Sequence, residues 1–292
     1  MLTRAVLGVV VLVAGGCLPT ASPDRTARPT LLNPRWNDDA FAEHLDVLRE
    51  TLQGEQTLAP ASRYVSAALR EAWLQPAVEE RYRLRPLFGR PSGYAGYVAG
   101  KHPLGAREDT SGVPVAEQAV LVCADLAEGE TPVEAAALLE VARLYGRASQ
   151  YTVMPERSVV FALWPRLAAE DDPLTGLRAY LEQPTWRLDR VRAVLYVGLS
   201  ARRRAEVQAL LDEYDLPLYR VGAPSEEEKR ASMGAAAGSP ETAASSVPRA
   251  RELAERTHQR LLAATLTDGK MMPSLGDSIR VPRPRPPDAQ QP

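Results

Sequence analysis

The residues of this chain whose types could do chemistry are carboxylates. Asp125 closes the apolar run "AVLVCA", Glu130 stands just ahead of an alanine-rich stretch, and Glu170 and Asp171 open the run "EDDP". Such acids offer oxygen ligands to hard cations like Ca²⁺ or Mg²⁺, and a free one can move a proton as general base. Each also has a plainer role. A strand-end aspartate caps the next turn, a first-turn glutamate answers the helix macrodipole, and acids before a proline make solvated loop. Brought together without a cation, Asp125, Glu130, Glu170 and Asp171 would repel one another. Other chemistries find no pattern: there is no Gly-x-Ser-x-Gly elbow, phosphate loop, Gly-x-Gly-x-x-Gly fingerprint or Cys-x-x-Cys pair. Ser158 and Ser200 lie at strand edges without a histidine in context. His44 and His258 fall on amphipathic helices near either end and His102 in a turn, and all three read as surface or packing residues.

The elements that must position the acids alternate. Val120–Cys123, Ser158–Trp164 and Val191–Gly198 read as strands, and Val133–Tyr145, Leu174–Leu181 and Ala201–Tyr214 as helices. "PLYRV" is a further short strand, and Pro248–Leu266 a terminal helix. Upstream, "AFAEHLDVLRETL" and "SRYVSAALREAWL" have helical spacing, the first behind the capping side chains Asn37, Asp38 and Asp39. "EERYRLRPLF" alternates as a strand, and "GYAGYVAGKHP" is a second strand ending at a turn. Strands alternating with helices predict an α/β class: a mixed, mainly parallel sheet sandwiched by helices in a single domain. The uninterrupted apolar character of Val120–Cys123, Ser158–Trp164 and Val191–Val197 predicts central strands buried on both faces.

The start of the chain sets its compartment. A charged opening and the apolar run Ala5–Ala14 lead to Gly15-Gly16-Cys17, a run of signal-peptide length and too short for a spanning helix. "VAGGC" resembles a bacterial lipobox, with Ala14 where that pattern has Leu. It implies cleavage before Cys17 and lipidation of its thiol. Leu18 rather than Asp after the cysteine points to the periplasmic face of the outer membrane. Residues 1–16 are then a signal peptide, 17–36 the lipidated cysteine and a Pro/Thr/Arg-rich tether, 37–266 the α/β domain, and 267–292 a proline-rich disordered tail. With Cys17 lipidated, Cys123 has no disulfide partner and reads as a small buried hydrophobe. A net charge of −2 argues against a nucleic-acid partner.

From about Asp39 to Leu266 the order of pieces resembles the zinc-dependent aminopeptidases of metallopeptidase family twenty-eight, relatives of glutamate carboxypeptidase, glutaminyl cyclase and the transferrin receptor ectodomain. "EHLDVLRETLQGE" resembles that family's opening helix, and "ASRYVSAALREAWLQP" the helix ending in a Gly-Leu-x-Pro turn. "GYAGYVAGKHP" is similar to its Asn-Val-x-Gly strand, "EAAALLEVARL" to its Leu-Leu-Glu helix, and "RSVVFALW…GLRAYLEQP" to its Arg-Ser-Val-x-Phe…Gly-Ser-x-x-Tyr segment.

The resemblance implies a peptidase fold with two zinc ions at the carboxyl ends of the strands. Its metal register is degraded. Asp125 stands where the first imidazole is expected, followed by Ala127 in place of an acid. Glu130 falls at the bridging acid, Asp171 at a further ligand and Glu170 at the general base. The last two ligands fall on Leu195 and Gly238, which cannot bind zinc. The expectation is therefore a membrane-anchored, aminopeptidase-like domain that has lost its metal site, needs no cofactor, and binds a peptide or envelope protein. The alternative is an active metal-dependent peptidase with a carboxylate-rich zinc site.

Overall fold

The computed structural model describes residues 31, 34–52, 58–84, 86–87, 90–101, 112–126, 132–150, 155–165, 174–199, 201–221 and 243–266. The three apolar runs lie side by side at the centre of the sheet. β5 (Ala119–Leu126) pairs in parallel with β6 (Ser158–Pro165) on one side and with β7 (Val191–Val197) on the other. Every residue of β6 is buried, and only Asp125 in β5 and Arg192 in β7 are partly open. Beyond β6 come β4 (Tyr94–Val98) and β1 (Gln75–Pro76), both antiparallel; beyond β7 comes β8 (Leu218–Val221), parallel. The order β1-β4-β6-β5-β7-β8 is a mixed, mainly parallel sheet.

Helices cover both faces. α1 (Asp38–Leu52), α2 (Leu58–Glu71), α3 (Val133–Ser149) and α6 (Ala243–Leu266) bury their apolar sides against one face, where Phe41, Leu45, Val65, Leu139 and Leu261 meet Val122, Phe161 and Leu195. α4 (Thr175–Glu182) and α5 (Ala201–Asp212) cover the other, packing Leu177, Tyr180, Val207 and Leu211 on Leu121, Trp164 and Tyr196. The connection through α3 leads from β5 to β6, while α5 leads from β7 the opposite way to β8. Same-handed crossovers running in opposite directions must put their helices on opposite faces. The carboxyl ends of β5 and β7 therefore flank a topological switch point, the place where open α/β sheets offer a crevice.

Three sequence expectations shift. Residues 79–88 do not form one strand. A tight turn at Val78–Arg81, with Glu79 at φ 36°, breaks the run, and Arg83 makes a single bridge to Tyr94. The alternation survives in burial, with Tyr82 and Leu84 inward and Arg81 and Arg83 outward, and only β2 (Pro86–Leu87) goes on to pair, with β3 (Arg90–Pro91). The terminal helix begins at Ala243, so Pro248 lies inside it rather than at its start. α2 ends at Glu71, three residues short of Leu74.

Among the described residues no helix is long and apolar enough to cross a membrane. Gly146, on α3, lets α2 close in, since a Cβ there would stand 1.7 Å from the carbonyl oxygen of Ala72.

Candidate functional site

Asp125 is the second-last residue of β5, and alternation along the strand puts it on the same face as Leu121 and Cys123. In the register, Cys123 lies opposite Tyr196 of β7. The tyrosine hydroxyl therefore reaches up the sheet to the strand end and donates to Asp125 Oδ1 at 2.5 Å. The other carboxylate oxygen, Oδ2, accepts from Arg203 Nη1 in the first turn of α5. The pair is largely shielded from water, with side chains 18% and 16% exposed. Burial, and then the Asp125 charge, push the Tyr196 phenol well above its ordinary range, so it stays a neutral donor. Burial works against the charge of Arg203, yet Asp125 more than restores it, and the guanidinium holds its proton more tightly than usual.

The adjoining turn is tight. Gly198 ends β7 at φ 74°, and a Cβ there would stand 1.9 Å from Glu134 Cγ in the first turn of α3. Only glycine fits both the conformation and the space. Below this level lies Cys123, fully buried, whose thiol burial pushes far above its ordinary pKa. It is no nucleophile.

A second polar group sits between α1, α2 and α3. Glu140 of α3, side chain fully buried, takes two hydrogen bonds from Arg143 Nε and one of 2.6 Å from Nη2. His44 Nε2 lies 3.5 Å from Glu140, and His44 Nδ1 shares a 2.7 Å hydrogen bond with the Tyr64 hydroxyl. Burial alone would raise the Glu140 carboxyl, but hydrogen bonds from His44 and Arg143 hold it below its ordinary value. His258 of α6 is also buried; its Nε2 donates to Leu31 O at 2.8 Å, and its ring stacks edge-on against Trp36 and Tyr145. Both imidazoles belong to helix packing, as the sequence reading expected, and neither shares a contact with Asp125.

Of the residues that the sequence singled out, Asp125, Cys123, Leu195, His44 and His258 are placed. Glu130, Glu170, Asp171, Gly238, His102 and Cys17 lie outside the described residues. Asp125 forms an ion pair with Arg203 at the carboxyl ends of β5 and β7, and the turn that it was expected to cap lies outside the described residues. Leu195 is not level with it. Leu195 pairs with Val122, three residues or roughly 10 Å below Asp125, and packs into the α3 face. Tyr196, one position on, is the residue of β7 that faces the acid.

Sequence reasoning missed Tyr196 and Arg203. Arg203 had a signal. "ARRRA" puts three arginines in the first turn of α5, where the helix macrodipole disfavours cations and a partner acid would offset the cost.

No family model and no curated protein matches the chain. Solved structures do. The glutaminyl cyclase of Porphyromonas gingivalis is similar at 11% identity and a TM-score of 0.43, over 78% of this chain and 97% of that one. The LapA aminopeptidase of Legionella pneumophila is similar at 12% identity and a TM-score of 0.40, over 78% and 70%. A Zn-dependent exopeptidase from Parabacteroides distasonis is similar at 12% and 0.38, over 79% and 98%. Similarities of this order carry no argument about the site, and what it can do is read from this chain's own residues.

Those residues do not fit a zinc ion at Asp125. Both carboxylate oxygens already accept from protein donors, and Tyr196, as a neutral phenol, is a poor ligand. A divalent ion about 4 Å from the Arg203 guanidinium would meet roughly 8 kcal/mol of repulsion at an effective dielectric of 20, twice the value for two unit charges. Among the described residues, no three of His, Cys, Asp and Glu stand close enough to hold a metal.

Proposed function

We propose that this chain is an aminopeptidase-like domain held on the membrane by lipid at Cys17, on the periplasmic face of the outer membrane, and that it binds a peptide or envelope protein without cleaving it. One observation carries the inactive reading. At the switch point, where the resemblance puts the first zinc ligand, an arginine is paired with the acid and a tyrosine is hydrogen-bonded to it. A +1 charge paired with the acid there neutralises it and repels a cation that would approach the same carboxylate. A neutralised acid at this strand end is suited to binding and not to polarising a carbonyl. The anchoring is supported by the charged start, apolar run and small residues before Cys17. No cofactor enters this function.

The test is calorimetric titration of the purified full chain with Zn²⁺, beside the variant D125N. The expected result is that wild type and D125N take up zinc alike, at weak surface sites only. A tight uptake by wild type that D125N loses would make Asp125 a metal ligand and overturn the reading.

A further inference from the structure

The C-terminal end of α4 lacks the cation that suits a helix end. No basic residue stands in its last turn, which closes on Glu182 instead. The carbonyls of a last turn present the negative end of the helix dipole, so a carboxylate there is repelled and a cation attracted. Gln183 N–H donates to Ala179 O at 3.1 Å, but Pro184 has no N–H to give to the Tyr180 carbonyl four residues back.

That helix end lines a cavity of about 700 Å³, the size of a small-molecule site. Across from Tyr180 and Glu182 it is bordered by Val78 and Glu79 of the turn after β1, with Leu84 and Ser92. The turn is pinned, since Val78 N–H donates to Arg81 O at 3.2 Å and Arg81 N–H to Val78 O at 2.7 Å. Glu79 and Glu182 are exposed, while Tyr180, Leu84 and Ser92 are buried. The carboxylates therefore form the rim, and an apolar surface with one hydroxyl forms the floor. Among the described residues that line the cavity none is basic.

Ser92 points to a ligand independently of the acids. It is only 6% exposed, lines the cavity, and makes no hydrogen bond through its side chain to a described residue. A buried hydroxyl without a partner is costly, and a ligand group can supply one. The place is separate from the Asp125–Arg203 pair, because β4 lies two strands from β5 in the sheet.

We propose that this cavity binds a small organic amine, a short aliphatic chain with an ammonium at one end and a hydroxyl at the other. The ammonium sits at Glu79, Glu182 and the carbonyl end of α4, the stem lies on Val78, Leu84 and Tyr180, and the hydroxyl meets Ser92. The site does not depend on the anchored, non-cleaving reading given above. The experiment titrates the full chain with aminopentanol, its two polar groups at opposite ends, and follows saturation transfer by NMR. Hydroxypentanoate, of the same length and opposite charge, is the control. The variants are E79Q/E182Q and S92A. Glutamine keeps the shape at two exposed positions, and at position 182 it removes an acid from the negative end of α4, so the double variant folds. The expected result is that aminopentanol binds wild type and hydroxypentanoate does not compete. E79Q/E182Q should bind about tenfold more weakly, from up to about fivefold for each rim carboxylate. S92A should hold aminopentanol no better than pentylamine. Absence of saturation transfer from aminopentanol, equal affinity in wild type and E79Q/E182Q, or equal binding of hydroxypentanoate would each overturn the proposal.

Discussion

Replacing Arg203 by Met should show what the pair at the switch point does. Methionine keeps most of the side-chain volume, so packing against α5 survives and the charge alone is removed. The Asp125 carboxylate would then be stranded in a largely buried position with, among the described residues, the Tyr196 hydroxyl to satisfy it. Removing one partner of a fully buried pair costs about 3–5 kcal/mol. With each side chain about one-sixth open to water and one hydrogen bond retained, the expected loss is about 2–3 kcal/mol. For a domain of this length that lowers the thermal midpoint by roughly 4–12 °C. Urea denaturation at neutral pH of wild type, R203M, D125N and D125N/R203M completes a double-mutant cycle. The double variant, carrying no buried charge at this place, should recover part of the loss. A loss in R203M under about 0.5 kcal/mol, with no coupling in the cycle, would refute the claim that the pair holds the strand ends together.

W73G should stabilise the domain by about 1 kcal/mol in the same assay, since Trp73, just past the end of α2, sits at φ 61° with its side chain mostly exposed, and glycine relieves that strain. Stability should also fall on mild acidification through His258. Burial lowers its folded-state pKa below the ordinary 6.5, so the unfolded chain takes up the proton first. Its contribution is complete above 6.5 and is lost as pH drops from there toward the folded value. Thermal midpoints between pH 7 and 5 should fall less steeply in H258Q, which can still donate to Leu31 O; equal slopes would remove His258 from the account. Cys17→Ala should release the protein from the membrane or block its processing, as fractionation and gel mobility would read, and unchanged attachment and cleavage would contradict lipidation.

The architecture was legible because it depends on burial. β5, β6 and β7 are apolar through their centres, and runs of that length bounded by turns and helices leave few alternatives to central parallel strands. The same uniformity hid the site. With both faces buried, β7 carries no alternation to say which residues share a face with Asp125, and a shift of one position exchanges Leu195 for Tyr196. Arg203 is 78 residues from its partner, and a long-range ion pair leaves no periodic trace in a sequence. Glu140 illustrates the same limit. It served as a landmark within "LLE", and only the packing of α1 and α2 on α3 reveals a buried carboxylate held by His44 and Arg143. The breaks at Val78–Arg81 and at Trp73 depend on left-handed residues that are not glycine, which composition does not announce.

The central claim is that the domain binds without catalysing peptide cleavage. The most direct measurement loads the full chain with excess Zn²⁺, dialyses it, and determines both the zinc retained per chain and turnover of aminoacyl substrates, for wild type and Glu170→Gln. No zinc pair should be retained, and wild type and Glu170→Gln should share the same background turnover. Two zinc ions held per chain, with turnover abolished by Glu170→Gln, would contradict it and establish a working peptidase.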